Sequence, residues 1–198
     1  MTNEFWDKRY SEENFAYGKE PNFYFKQKID GLKPSKLLLP GEGQGRNAVY
    51  AAKLGWQVTA IDLSSAAKQR ALKLAEENNV KIEYYVTSLE EFDFPENEYD
   101  AAALVFTHFP PETRNKIHSL IIISLKPGGV LIIDAFSKKQ INNSSGGPKD
   151  LAALYSIDDL SNEFKEMDVL ESYETQVNLG EGTYHRGKAD VIRMVLKK

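Results

Sequence analysis

The sequence has 198 residues with 41% apolar side chains, 27% charged side chains and a net charge of −4, which suits one domain with a core of its own. No long basic run is present, so the composition is not that of a nucleic-acid-binding protein. The absence of cysteine excludes disulfides, thiolate metal sites and cysteine nucleophiles. The N-terminus is polar and no apolar run approaches about 18 residues, so we expect a cytoplasmic protein without a signal peptide or membrane span.

Two short helices are predicted ahead of the first strand. Thr2 is a suitable N-cap for an amphipathic helix that ends near Tyr10, and Asn22 is a suitable N-cap for a helix that ends at Ile29. The segment between them, FAYGKEPN, is rich in turn-forming residues and carries two aromatic side chains. We expect residues 1–33 to form a helical cover for the rest of the chain.

Residues 36–64 combine strand, glycine loop, helix, strand and acid in one short unit. Lys36–Leu39 is an apolar run typical of a buried strand, and the loop after it has glycine at every second position. A helical pattern follows over Arg46–Leu54, and a second apolar strand, Gln57–Ile61, ends just before Asp62. Glycines let a ligand approach the backbone, a helix N-terminus offers free N–H groups, and an acid at this position accepts hydrogen bonds from ribose hydroxyls. The unit therefore predicts a nucleoside site.

The spacing of the glycines separates the cofactor classes. A dinucleotide loop reads G-x-G-x-x-G, whereas this loop reads G-x-G-x-G from Gly41 to Gly45, with Arg46 in place of the third glycine. The phosphate-binding signature G-x-x-x-x-G-K-[ST] is also absent. A nicotinamide-dependent oxidoreductase is thus an alternative that the spacing argues against. The alternative to a ligand site is that the loop is an ordinary tight turn and that the acid after the second strand occurs there by chance.

In the rest of the chain, predicted helices and strands alternate until the last two strands, which follow one another without a helix between them. Helices are predicted at 65–78, 111–125 and 156–164, and strands at 81–86, 100–106, 130–135, 167–177 and 188–196. The last two strands are joined by the Gly-rich connection NLGEGTYHRG, which indicates an antiparallel hairpin. The alternation before them indicates parallel strands. We therefore predict an α/β fold: a Rossmann-like, seven-stranded, mostly parallel sheet with helices on both faces and a C-terminal antiparallel hairpin.

Three segments of the sequence share their pattern with a known family. They are FWDKRY with FAYGKEPN at the N-terminus, PGEGQGRNAVYAAKLGWQVTAIDLS in the glycine unit, and LKPGGVLIIDAF near residue 130. Together they resemble the cover, first motif and late motif of class I S-adenosylmethionine (SAM) methyltransferases, in particular the small tellurite-resistance and thiopurine-methyltransferase-like group. The resemblance extends over nearly the whole chain and implies a single methyltransferase domain, 1–198, with a nucleoside-binding core at 34–137. Residues 138–198 add a loop, a short helix and the hairpin.

The resemblance also implies which residues hold the cofactor. They lie in the glycine loop and the helix start, around the acid, after the third and fourth strands and in the N-terminal loop: Gly41, Glu42, Gly43, Gly45, Arg46, Asn47, Asp62, Leu63, Ser64, Ser88, Leu89, Phe106, Tyr17 and Gly18. In this assignment Asp62 binds the ribose hydroxyls and Leu63 covers the adenine. Leu39 departs from the family pattern, which often has an acid there near the methionine amino group. Glu42 either replaces part of that charge or points into solvent.

The acceptor side is expected near the carboxyl ends of the strands, where open α/β sheets bind ligands. His108 follows the fourth strand, and its imidazole either takes a proton or orients an acceptor, or it packs in the loop without a catalytic role. His185 and Arg186 fall in the predicted hairpin loop, which favours an exposed turn; alternatively they bind an anionic acceptor. Trp6 and Tyr10 are aromatic candidates from the cover, and packing on the sheet is the alternative for Trp6. Three such dispersed histidines predict no metal site.

We therefore predict a SAM-dependent methyltransferase that acts on a small molecule and releases S-adenosylhomocysteine (SAH). The resemblance suggests a chalcogen or thiol acceptor, which needs little acid–base machinery, whereas an oxygen or nitrogen acceptor needs a base. The alternative is a SAM-binding module without transfer activity, motivated by Leu39. No nucleic-acid or membrane partner is expected, and the sequence leaves monomer and homodimer open.

Overall fold

The computed structural model describes residues 2–198, and this part of the chain forms seven β-strands and six α-helices. The strands are β1 (Lys36–Pro40), β2 (Gln57–Asp62), β3 (Glu83–Val86), β4 (Tyr99–Val105), β5 (Leu125–Phe136), β6 (Asp168–Glu181) and β7 (His185–Lys197). The helices are α1 (Asn3–Tyr10), α2 (Phe23–Ile29), α3 (Arg46–Lys53), α4 (Ser65–Glu77), α5 (Pro111–Ser124) and α6 (Ile157–Glu163). Two short 3₁₀ helices, Lys138–Asn142 and Leu151–Ala153, precede α6. Among residues 2–198, no helix combines the length and apolar character that crossing a membrane requires.

The strands form a single sheet with the order β3-β2-β1-β4-β5-β7-β6. Strands β1 to β5 pair in parallel, and β7 runs antiparallel to both β5 and β6. This arrangement confirms the predicted fold class. Because β1, β2 and β4 are adjacent and parallel, the loops after them meet at one edge of the sheet, where a ligand site is expected.

The sheet buries one apolar surface on each face, as a doubly covered parallel sheet requires. Leu37 and Leu39 of β1 pack on the face that is covered by α2, α3 and α4. Leu38, whose side chain points the opposite way, packs with residues of α5 and α6 on the other face. Continuous apolar strands such as β1 therefore contribute to both cores.

Four of the six helices in the described chain have a side-chain cap at the N-terminus, and the caps at Thr2 and Asn22 confirm the predictions. The side chains of Thr2, Asn22 and Ser64 accept hydrogen bonds from backbone N–H groups in the first turns of α1, α2 and α4. Ser156 and Asp159 form a reciprocal capping box at the start of α6. These local hydrogen bonds fix where the helices begin.

The C-terminal hairpin differs from the prediction. Strands β6 and β7 are longer than expected, so the turn shrinks to residues 182–184 and His185 and Arg186 lie at the start of β7 rather than in a loop. The glycines of this region do not end the strands because antiparallel pairing continues up to Glu181 and His185. Two further strands differ from their predicted bounds. β3 starts at Glu83 and not at residue 81, and β5 starts at Leu125 and not at residue 130, with a register shift against β4.

Candidate active site

The glycine loop is held against the end of β2 by backbone hydrogen bonds. The N–H groups of Gly41 and Glu42 both donate to the carbonyl oxygen of Ile61, at 2.7 and 3.2 Å. The N–H of Gly43, a residue with a φ of +64°, donates to a carboxylate oxygen of Asp62 at 2.9 Å. Glycine adopts this left-handed conformation without strain. The loop and the acid are therefore one structural unit, as the sequence predicts.

Asp62 has the environment of a hydroxyl-binding carboxylate. One oxygen accepts from the N–H of Gly43 and the other from the N–H of Ser64 at 3.0 Å, so each oxygen keeps acceptor capacity for a further hydrogen bond. Burial raises the pKa of Asp62 to about 6, although these backbone hydrogen bonds act in the opposite direction. Such a carboxylate at the tip of the second strand suits two ribose hydroxyls.

Glu42 caps a helix, which neither of the two sequence-based interpretations foresees. One of its carboxylate oxygens accepts from the N–H groups of Asn47 at 2.9 Å and Ala48 at 2.8 Å. The N-cap residue of α3 is Gly45, which has no side chain, so Glu42 satisfies the free N–H groups of the first turn. Burial raises the pKa of Glu42 to about 7. Leu39, at the position where the family often has an acid, lies in the core.

Arg46 and Asn47 make their hydrogen bonds to the protein in this structure. Arg46, whose side chain is 8% exposed, donates to the carbonyl oxygen of Tyr17 at 2.9 Å and forms an ion pair with Glu181 at 2.9 Å. Asn47 accepts from the N–H of Asn22 at 2.9 Å. The first helical turn thus ties the N-terminal segment and the hairpin to the glycine loop.

A buried polar network continues from these residues to β5. Asn22 donates to Asp134 at 3.0 Å and to Glu181 at 3.2 Å, and Arg193 donates to the other oxygen of Asp134 at 3.3 Å. Burial raises the pKa of Asp134 to about 6 even though Arg193 lies beside it. This network is not predicted from the sequence. Its one local signal is an acid inside the apolar run LIIDAF.

The loop predicted to hold the adenine lies beside Asp62, because the N–H of Thr87 donates to the carbonyl oxygen of Asp62 at 3.1 Å. Ser88 is partly exposed, and its hydroxyl forms hydrogen bonds with the side chain and the N–H of Glu91. Leu89 is half-buried against the core. Leu63, also partly exposed, follows Asp62 directly. These residues therefore surround one corner of the sheet edge, and their contact with adenine stays a prediction.

His108 is locked by both ring nitrogens. Its Nδ1–H donates to the carbonyl oxygen of Ala153 at 2.8 Å, and its Nε2 accepts from the N–H of Phe136 at 3.1 Å. Burial lowers the pKa of His108 to about 4, so the ring is neutral at physiological pH. With neither nitrogen free, the hypothesis of a proton-accepting His108 does not fit this geometry. The packing alternative does.

His185 is buried and not part of an exposed turn, so the favoured interpretation of this residue is wrong. Its side chain is 5% exposed, and its Nδ1 lies 3.3 Å from a carboxylate oxygen of Glu181. Its ring centre lies 4.3 Å from that of Tyr17, 4.7 Å from that of Phe106 and 5.4 Å from that of Phe136. Burial lowers the pKa of His185, although Glu181 favours the charged form. We call Tyr17, Phe106, Phe136 and His185 the aromatic wall.

Arg186 and Phe106 differ sharply in environment. Arg186 is exposed as predicted, but it lies in β7 and not in a turn, and its Nε donates to the carbonyl oxygen of Gly182 at 2.6 Å. Phe106 directly follows β4 with a φ of +52°, which is uncommon for an aromatic residue. Its N–H donates to the carbonyl oxygen of Asp134 at 2.7 Å, a bond that holds this conformation.

The N-terminal cover lies on the glycine loop. A Cβ atom added to Gly43 would lie 2.8 Å from the hydroxyl oxygen of Tyr10, so the ring of Tyr10 sits directly over this glycine. Trp6 stacks on Tyr10 with ring centres 5.4 Å apart. Gly18 contacts the hairpin turn at Gly182. Trp6 therefore touches the site through Tyr10.

Comparison with known proteins agrees with this geometry. Residues 38–129 match a family model described as a methyltransferase domain. The chain is 32% identical over 123 residues to a ubiquinone biosynthesis O-methyltransferase of Actinobacillus pleuropneumoniae, an alignment that covers 58% of this chain and 51% of that protein. The chain thus spans about half the length of the curated relatives it matches.

Solved structures share the fold over most of the described chain. TehB from Haemophilus influenzae superposes with a TM-score of 0.75 at 21% identity, covering 99% of this chain and 66% of that one. The 1,6-didemethyltoxoflavin-N1-methyltransferase of Burkholderia thailandensis, solved with bound 1,6-didemethyltoxoflavin and SAH, superposes with a TM-score of 0.66 at 18% identity, covering 89% and 78%. Residues 38–129 are thus similar in sequence to a methyltransferase domain, and the superpositions show that the described residues share the Rossmann-like fold of these methyltransferase structures.

Proposed function

We propose that this protein binds SAM at the carboxyl edge of β1, β2 and β4 and transfers its methyl group to a small acceptor. The observation that carries the proposal is the hydrogen bond between Gly43 and Asp62, in which a half-buried carboxylate orders the glycine loop and keeps acceptor capacity for ribose hydroxyls. When bound, SAM supplies the methyl group and a thioether leaving group. The chain's own residues position the reactants and exclude water.

The charges of the site suit SAM better than a dinucleotide. The start of α3, where a dinucleotide's pyrophosphate would bind, is occupied by the Glu42 carboxylate. Asp62 adds a second half-buried acid close by. Two such carboxylates repel a pyrophosphate and attract a cofactor that carries an ammonium and a sulfonium. The two carboxylates therefore support SAM as the cofactor independently of the glycine spacing.

The acceptor in this proposal is a small, soft nucleophile such as a thiol or another chalcogen species. The aromatic wall offers an apolar surface beside the site, and the one histidine predicted as a base, His108, has no free nitrogen. A soft acceptor needs no base for an in-line displacement, which suits this surface. The curated relative's name specifies an O-methyltransferase, so an oxygen acceptor is the competing class. We place the enzyme in the cytoplasm, acting on small molecules.

The test is transfer of labelled methyl from SAM to matched acceptors: an alkyl thiol, selenite, tellurite, a catechol and a primary amine. We expect product with a thiol or chalcogen acceptor, and at least about tenfold less product with Asp62→Asn when SAM is kept below its dissociation constant for the wild type. Product with the catechol alone would support the competing class. Cofactor binding without product from any acceptor would favour the binding-module alternative and refute transfer.

A further inference from the structure

Gln44 is the polar side chain of the glycine loop for which the sequence analysis gives no role. It is 5% exposed, and both ends of its amide are used. Its Oε1 accepts from the N–H of Ala16 at 2.7 Å, and its Nε2 donates to the carbonyl oxygen of Tyr10 at 3.3 Å. Both partners are backbone groups of the N-terminal segment. A side chain of the cofactor loop therefore holds that segment at two points.

Ala16 links this contact to the hairpin turn. Its carbonyl oxygen accepts from the N–H of Thr183 at 3.0 Å and from that of Tyr184 at 3.2 Å, while its N–H is bound to Gln44. A Cβ atom added to Gly182 would lie 2.5 Å from the same carbonyl oxygen, so only glycine permits this approach. The peptide groups of Ala16 thus join the glycine loop, the N-terminal segment and the hairpin.

Tyr10 is the residue that the Gln44 contact positions over the site. Gln44 binds the carbonyl oxygen of Tyr10, and the ring of Tyr10 lies over Gly43, the residue whose N–H binds Asp62. The same segment reaches α4 through Asp7, whose carboxylate accepts from the hydroxyl of Ser64 at 2.5 Å. The segment therefore crosses the rim of the site from the glycine loop to α4, with its central hydrogen bonds at Gln44.

We propose that Gln44 is a positioning residue that latches residues 10–16 over the cofactor site and slows cofactor release. This inference rests on the proposed function for the identity of the ligand. Both hydrogen bonds of the Gln44 amide are to backbone groups, so they do not depend on which side chains the segment carries. Release of the cofactor requires the segment to lift, and lifting breaks both hydrogen bonds of Gln44 and leaves the N–H of Ala16 without its partner.

The test compares Gln44→Leu with the conservative Gln44→Glu and with Gln69→Leu on the exposed surface of α4. Backbone amide exchange without ligand measures the latch by itself. In Gln44→Leu we expect exchange at residues 10–18 to be about tenfold faster or more, while β1 and β4 keep their protection. Gln44→Glu keeps the acceptor for Ala16 but, when ionised, has no donor for the carbonyl oxygen of Tyr10, so it should restore part of the protection. Unchanged exchange in Gln44→Leu would overturn the latch.

SAH dissociation, followed by stopped flow, measures the effect on release. We expect Gln44→Leu to release SAH about tenfold faster with little change in the association rate, and Gln69→Leu to match the wild type. Faster exchange with an unchanged SAH dissociation rate would overturn the link between latch and release. A wild type that binds no SAH would refute the proposed function and the claim on release with it, and that failure is distinguishable because the amide exchange is measured without ligand.

Discussion

The carboxylate of Asp62 should make the affinity for SAH depend on pH. Its pKa is about 6, and hydroxyl groups donate hydrogen bonds to its ionised form. Between about pH 8 and about pH 5.5 its ionised fraction falls from nearly one to about one quarter, so its contribution to SAH affinity falls about fourfold. Asp62→Asn, which lacks this ionisation, should bind SAH about tenfold to a hundredfold more weakly at about pH 8.

Calorimetric titration with SAH at several pH values checks this. Glu42 titrates in the same pH range, but it is present in both the wild type and Asp62→Asn. The contribution of Asp62 is therefore measured as the wild-type affinity divided by the Asp62→Asn affinity, and this ratio should decrease about fourfold as the pH falls. Asp93→Asn, a change at an exposed acid, serves as the matched control and should follow the wild type. A ratio that is large and independent of pH would refute the argument that a titrating carboxylate binds the ligand.

Three further predictions concern stability. Glu42→Gln should raise the free energy of unfolding by about 1–3 kcal/mol at about pH 8 and change it little at about pH 4.5. Burial raises the pKa of Glu42, so the ionised side chain destabilises the folded state increasingly from about pH 4.5 to about pH 7, and an uncharged Gln removes this cost. Urea titrations at both pH values measure the two changes, and equal gains in stability would contradict the prediction. His108→Phe should lower the free energy of unfolding by about 1–3 kcal/mol, since it leaves the partly buried carbonyl of Ala153 and the N–H of Phe136 unpaired; a loss below about 0.5 kcal/mol in the same titration would show that the two bonds are unimportant. Gly182→Ala should cost about 1–3 kcal/mol from its φ of +64° and its close contact with Ala16, whereas Gly180→Ala, with nothing within 4 Å, should be nearly neutral in thermal melts. Equal effects of the two glycine changes would contradict the steric argument.

Features of the fold that depend on neighbours in sequence are predictable from sequence. The helix caps at Asn22, Ser64 and Ser156 are one-turn hydrogen bonds, and the side chains that make them are recognisable by type. The unit from β1 to Asp62 is also local, because Gly43 and Asp62 are 19 positions apart and joined by a single helix. The parallel pairing of β1 to β5 follows from the alternation of elements and the antiparallel end from the Gly-rich connection, whereas the order of the strands is known from the structure alone.

The polar contacts of the site depend on partners far apart in the chain. Asn22 and Asp134 are separated by 112 positions, and Arg46 and Glu181 by 135. Contacts between residues so far apart cannot be predicted from the local sequence. Arg46 is therefore predicted to contact the cofactor, although in the structure its charge is paired with Glu181. The glycines around His185 predict a loop, yet the pairing of β6 with β7 continues past those glycines.

Calorimetric titration of the wild-type protein with SAM, SAH and NAD distinguishes a SAM site from a dinucleotide site. We expect SAM and SAH to bind with one site per chain and NAD to give no heat of binding, because Glu42 occupies the helix start where a pyrophosphate would lie. Binding of NAD, or no binding of either SAM or SAH, would contradict the assignment of the glycine loop and Asp62 as a SAM site.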